Sequence, residues 1–104
     1  MAAVNLLPGS ARLDQMLTLA PEMRRAVARA EASNLRVIGA VARGEDGGAR
    51  VDLLVNGDPN LTFFKLFRLE EELSVLLGVE VHVATDGEHS VATLARVESE
   101  AIAL

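Results

Sequence analysis

A chain of 104 residues carries one hydrophobic core rather than two, and with only three aromatic residues, all Phe, that core must be aliphatic. The absence of cysteine removes disulfides, thiolate zinc sites and thiol nucleophiles, and fits a cytoplasmic protein. The net charge of −5 argues against nucleic-acid binding by the whole surface, although five Arg and only three acids fall in residues 1–36. No apolar run reaches the roughly 20 residues of a membrane span. The opening MAAVNLLPGS lacks the basic segment of a secretory leader, so none is expected.

Residues 1–10, with Pro8-Gly9-Ser10, read as a flexible lead-in to a single domain spanning 11–104. From Ala11, the apolar residues Leu13, Met16, Leu17 and Ala20 recur at helical spacing. Pro21 suits the first turn of a second helix, which would run to about Ala32 with Met23, Val27 and Ala30 inward and would end at Asn34. The region reads as a helical pair or as one helix kinked near Pro21. Its Arg24, Arg25 and Arg29 form either a solvated face or a contact surface for a partner or nucleic acid.

Leu35 to Ile38 reads as a strand, and Ala40 to Arg43 as one helical turn. Gly44-Glu45-Asp46-Gly47-Gly48 is a loop by composition. Arg50 to Val55 is a second strand, placing Val51, Leu53 and Val55 on one face and Arg50, Asp52 and Leu54 on the other. Asn56 to Asn60 breaks it, with Asn60 as the expected N-cap of the next helix. That helix carries an apolar stripe through Leu66, Leu69, Leu73 and Leu76, extended backward by Phe63. Glu70-Glu71-Glu72 falls mainly on its wet side, and Gly78 stands where the helix should stop. Val79 to Ala84 is a third strand, with His82 on the face opposite its valines. Asp86-Gly87 turns the chain, and Ser90 caps a last helix lined by Val91, Leu94, Val97 and Ala101. His89 and Ser90 are adjacent, but no third group orients them for hydrolysis. The glycines match no phosphate-loop pattern.

The stretches VIGAVARGEDGGARVDLLV and LFRLEEELSVLLGVEVHVAT resemble the minimal nucleotidyltransferases, small members of the DNA polymerase beta-like superfamily. The resemblance runs from about residue 22 to Leu104. It implies an α/β (α+β) fold, a small mixed sheet of three to four strands with helices packed mainly on one side. Family members carry Gly-Ser after the first strand, Asp-x-Asp roughly ten residues later and a further Asp on the third strand. Two acids at i and i+2 share a strand face and can hold Mg²⁺, and the third completes a two-metal clamp on the transferring phosphoryl group. The Gly-Ser turn meets the triphosphate.

This chain departs at three of those positions: Ala40 stands for the Ser, Arg50 for the first Asp and His82 for the last acid. Only Asp52 remains of the triad, as a remnant catalytic residue and weak metal ligand, or as the partner of Arg50. A guanidinium stays cationic and cannot ligate a metal, and imidazole is a poor ligand for Mg²⁺. Gly39, Ala40 and Arg43 occupy the positions where the resemblance implies nucleotide binding, although Arg43 could instead pair with Glu45 or Asp46. The expectation is a catalytically inactive nucleotidyltransferase-like domain that works as an antitoxin-like binding component. Its partner would be a HEPN-type protein, a second copy of the chain, or both. No cofactor is expected, with Mg²⁺ and ATP implied only if the family activity survives. The alternatives are an active Mg-dependent enzyme with a rearranged site that recruits Glu45 or Asp46, and a nucleic-acid-associated regulator.

Overall fold

The computed structural model describes residues 9–45 and 50–104. The helical spacing that starts near Ala11 becomes one helix, α1 (Gly9–Arg29), with Pro21 inside it. The expected helical pair does not form. Pro21 is exposed, so the carbonyl that its missing N–H leaves without a partner can turn to water. Met16, Ala20, Met23, Val27 and Ala30 are buried along α1, whereas Leu17, expected inward, is half exposed. The lead-in expected over 1–10 lies outside the described residues up to residue 8, and Gly9 and Ser10 already belong to the helix.

The helix stops earlier than its composition suggests. Arg29 is its last residue, Glu31 takes a left-handed conformation (φ 64°), and β1 (Ala32–Ile38) begins at once. Asn34, expected to end the helix, instead lies within β1 at φ 55°, where the pairing with the next strand shifts register. Asn is among the few residues that adopt this conformation cheaply.

A single turn, α2 (Gly39–Ala42), leads toward β2 (Arg50–Gly57). The Asp46-Gly47-Gly48 part of the expected loop lies outside the described residues. Next come α3 (Phe63–Leu77), β3 (Glu80–Thr85), a 3-10 turn (Asp86–Glu88), α4 (Val91–Glu100) and a two-residue β4 (Ile102–Ala103). The N-cap of α3 is Thr62, whose hydroxyl accepts the Lys65 N–H, rather than Asn60. Asn60 donates its own N–H to Asp58, a local turn that consumes it one step too early. Gly78 ends α3 at φ 71°, and Ser90 caps α4 through the Thr93 N–H, both as the sequence predicts.

The sheet is mixed and four-stranded, in the order β3-β2-β1-β4, with β2 and β3 parallel and the other two pairs antiparallel. Val37, Val51, Leu53, Val55, Val81 and Val83 form the apolar face, and α1 and α3 cover it with Met16, Met23, Val27, Leu66, Leu69, Leu73 and Leu77. Phe63 does not extend that stripe; it is largely exposed, and Leu77 closes the stripe at the other end. Arg12, buried at the end of α1, donates to the Leu77 carbonyl at 3.1 Å and so fixes α1 to the C-terminus of α3.

The opposite face holds Arg36, Asp52, Leu54 and Ala84, and α4 lies against it. Leu94 and Val97 of α4 are half-buried, while Val91 at its first turn is exposed. Arg36, only 7% exposed, pins this helix. Its guanidinium donates to Glu98 at 2.8 Å, to the Asn34 carbonyl at 3.0 Å and to Asn56 Oδ1, joining α4, the bulge of β1 and β2 at one point. Two buried aliphatics surround a satisfied cation on this face, and the rest of it is open to form a site.

Candidate functional site

The chain crosses from β1 into α2 through Gly39, whose φ of +74° excludes most side chains. A Cβ placed there would stand 3.2 Å from Asp52 Oδ2. Glycine therefore lets the turn pack directly on the carboxylate of β2. Across the sheet, Ile38 pairs with Asp52 and Asp52 with His82, so the three strands align these positions in one row. Parallel register also sets Arg50 beside Glu80. A cleft of about 350 Å³ opens over this row, lined by Gly39, Arg43, Asp52, Arg96, Val97 and Glu100.

Within it, Asp52 is three-quarters buried and its Oδ1 lies 3.1 Å from Arg50 Nε. The i, i+2 spacing that would let two acids share a metal here yields an internal ion pair. Arg43, one turn beyond Gly39, donates to Glu45 at 2.7 Å and to Glu100 at 3.2 Å. Its pKa is raised, first by the hydrogen bond to Glu45 and then by that to Glu100. Ala40 offers no hydroxyl at the turn. Of the residues singled out from the sequence, the fold brings Gly39, Asp52 and Arg43 to one cleft and makes Arg50 the partner of Asp52.

His82 is the exception. Although it sits in register with Asp52, its Nδ1 lies 3.3 Å from Glu70 Oε2, on α3 at the outer side of β3. The same Glu70 oxygen accepts the Val83 N–H at 2.8 Å, and Ser74 Oγ accepts the Val81 N–H at 3.1 Å. Both N–H groups lie on the free edge of β3, and the two side chains cover that part of it. Glu70, read as part of a wet face, is thus turned inward by an edge strand that sequence pattern does not reveal. Arg96, Val97 and Glu100 were also missed as cleft residues; their only signal is their i, i+4 spacing around the half-buried stripe of α4.

The described residues of the cleft do not fit a divalent metal. Mg²⁺ requires several hard oxygen ligands, yet one Asp52 oxygen is held by a guanidinium and Glu45 is held by Arg43. Among the described residues, no group of three or more His, Cys, Asp or Glu could hold an ion. Ser90, the nucleophile type nearest a histidine, is consumed by capping: its Oγ accepts from Thr93 N and donates to Thr93 Oγ1. Arg24, Arg25 and Arg29 of α1 are exposed, Arg25 pairing with Glu22 and Arg29 with Glu72. No helix among the described residues is long and apolar enough to cross a membrane.

The chain is similar to a solved minimal nucleotidyltransferase, with a TM-score of 0.73 and 33% identity over 86% of this chain and 95% of that one. It shares its fold with a mutant MntA-HpeT toxin–antitoxin structure (TM-score 0.64, 14% identity, 85% of this chain and 69% of that one). It also shares it with a toxin–antitoxin structure containing AMP-PNP (TM-score 0.62, 13% identity, 86% and 69%). No protein-family model matches the chain, and no curated protein matches it.

Proposed function

The chain belongs to the minimal nucleotidyltransferase family, and we propose that it has lost nucleotidyl transfer and acts by binding a protein partner, as an antitoxin-like component. The observation that carries this reading is the 3.1 Å contact between Arg50 Nε and Asp52 Oδ1. It stands where the family resemblance places a pair of metal-holding acids. Three apposed carboxylates without metal would repel one another. Arg50 removes that repulsion and leaves a metal-free site that holds itself together. Asp52 is then a structural remnant, and Gly39, Ala40 and Arg43 keep the shape of a nucleotide-binding turn without its hydroxyl.

The partner class comes from kinship of fold. Two structures that share this fold are described as toxin–antitoxin assemblies, and the family resemblance points to a HEPN-type protein as the toxin. Neutralisation by binding requires no chemistry from the cleft. The domain would work in the cytoplasm, where such a partner is made.

Calorimetric titration with ATP, with and without Mg²⁺, tests the loss of activity. The native chain should bind no Mg-ATP, whereas a variant carrying Ala40→Ser, Arg50→Asp and His82→Asp together should bind it. Magnesium-dependent binding by the unmodified protein, followed by transfer of labelled nucleotide, would overturn the reading. For the partner, co-expression with a HEPN-type toxin should restore growth equally with the native chain and with Asp52→Ala. Rescue lost in Asp52→Ala would return the activity to the cleft.

A further inference from the structure

All three aromatic residues of the chain lie on α3, and all three are exposed. Phe64 and Phe67 are 69% and 63% exposed, and Val75, two turns further on, is 80% exposed. At about 100° per residue, Phe64, Phe67, Arg68, Glu71 and Val75 fall within one arc of roughly 100°. That arc lies opposite the core stripe of Leu66, Leu69, Leu73 and Leu77. None of these residues lines the cleft.

The charges within this arc differ from those beside it. On the flank toward α1, Glu72 pairs with Arg29, and Lys65 pairs with Glu31 at 2.8 Å. Arg68 lies 5.9 Å from the Phe64 ring centroid, and among the described residues neither Arg68 nor Glu71 has an ionic partner. A cation and an acid left unpaired between apolar ends form a self-complementary pattern. When a second α3 runs antiparallel with its crossing point midway between residues 68 and 71, Arg68 meets Glu71 of the other copy, and the reverse. Phe64 then meets Val75 at both ends. This is the geometry of an isologous two-fold contact. On the free edge of β3, Glu70 and Ser74 already satisfy the Val83 and Val81 N–H groups, which leaves that edge less open to a second copy.

We propose that the exposed face of α3 is a homodimer interface, in which two copies pack antiparallel through Phe64, Phe67 and Val75 and are held in register by reciprocal Arg68–Glu71 ion pairs. The contact lies away from the cleft and is independent of whether the cleft is catalytic. It leaves the cleft face of each copy free for another partner.

Sedimentation equilibrium of the purified chain across a concentration series should give twice the mass of the 11.1 kDa chain. Arg68→Glu and Glu71→Arg should each weaken the dimer at least tenfold, since each places like charges across the two-fold axis. Mixing these two single variants should restore a dimer containing one copy of each, because every Glu then faces an Arg. The double variant Arg68→Glu with Glu71→Arg should also recover self-association. Both substituted sites are at the surface, so circular dichroism should show unchanged folding. A native chain that stays monomeric throughout would overturn the proposal, and would mean that a different protein covers this face. A dimer indifferent to both single variants, or single variants that fail to complement on mixing, would overturn it as well.

Discussion

Replacing Gly39 by alanine tests how the turn and the carboxylate of β2 depend on each other. Two costs can be separated. The first is conformational: a residue with a Cβ held at φ +74° loses about 1–2 kcal/mol relative to glycine. The second is contact: the new Cβ would lie 3.2 Å from Asp52 Oδ2, so the carboxylate must give by a few tenths of an ångström while its other oxygen is held by Arg50. That adds about 0.5 kcal/mol, in the range of a mild off-rotamer strain. Gly39→Ala should therefore destabilise the fold by about 1.5–2.5 kcal/mol, lowering the melting temperature by roughly 6–15 °C for a domain of this size. In the Asp52→Ala background the nearest remaining atom of residue 52 is its Cβ, 3.6 Å from the new methyl, an ordinary contact. The penalty there should shrink to the conformational part alone. A double-mutant cycle from thermal denaturation reads the difference as the coupling energy. A Gly39→Ala protein as stable as the native chain would refute the geometry of the turn. Equal penalties in both backgrounds would refute the contact with Asp52.

Arg36→Met should cost about 2–3 kcal/mol in urea denaturation, because it strips three hydrogen bonds from a buried joint. Glu98→Gln, at a half-exposed end of the same joint, should cost less than about 1 kcal/mol. Thr62→Ala should lose about 1 kcal/mol of stability, whereas Asn60→Ala should change it by only a few tenths; a reversed order would move the helix start. Glu70→Ala should expose the Val83 N–H on the edge of β3 and destabilise by about 1–2 kcal/mol. It should also raise light scattering on prolonged incubation, and a clear solution of unchanged stability would count against the edge-closing role.

The helices and strands whose residues repeat with a clear period were legible in the sequence. The stripe Leu66, Leu69 and Leu73, the alternation Val51, Leu53 and Val55, the glycine stop at Gly78 and the Ser90 cap all depend on local physics, and all occur as expected. Where two local choices were near in energy, neighbours in space decided. Asn34 can end a helix or occupy a bulge, and the pairing of β1 with β2 selected the bulge. Phe63 fits the period of α3, but the helix axis carries it past the end of the core and into solvent.

The candidate site divides in the same way. Sequence by itself determined that Arg50 and Asp52 share one strand face and that no thiol or phosphate-loop pattern is present, because residue identity and the two-residue strand period settle those points. Only the tertiary structure decided where each side chain spends its charge. Register aligned His82 with Asp52, but the open edge of β3 drew Glu70 across, and His82 pairs there. Arg36 looked like one strand residue among others, and became the buried joint of β1, β2 and α4 because Asn56 and Glu98, distant in sequence, converge on it beside the neighbouring Asn34 carbonyl. A buried or edge hydrogen-bonding group must be satisfied by whatever the fold brings near, and that partner is set by contacts far apart in sequence.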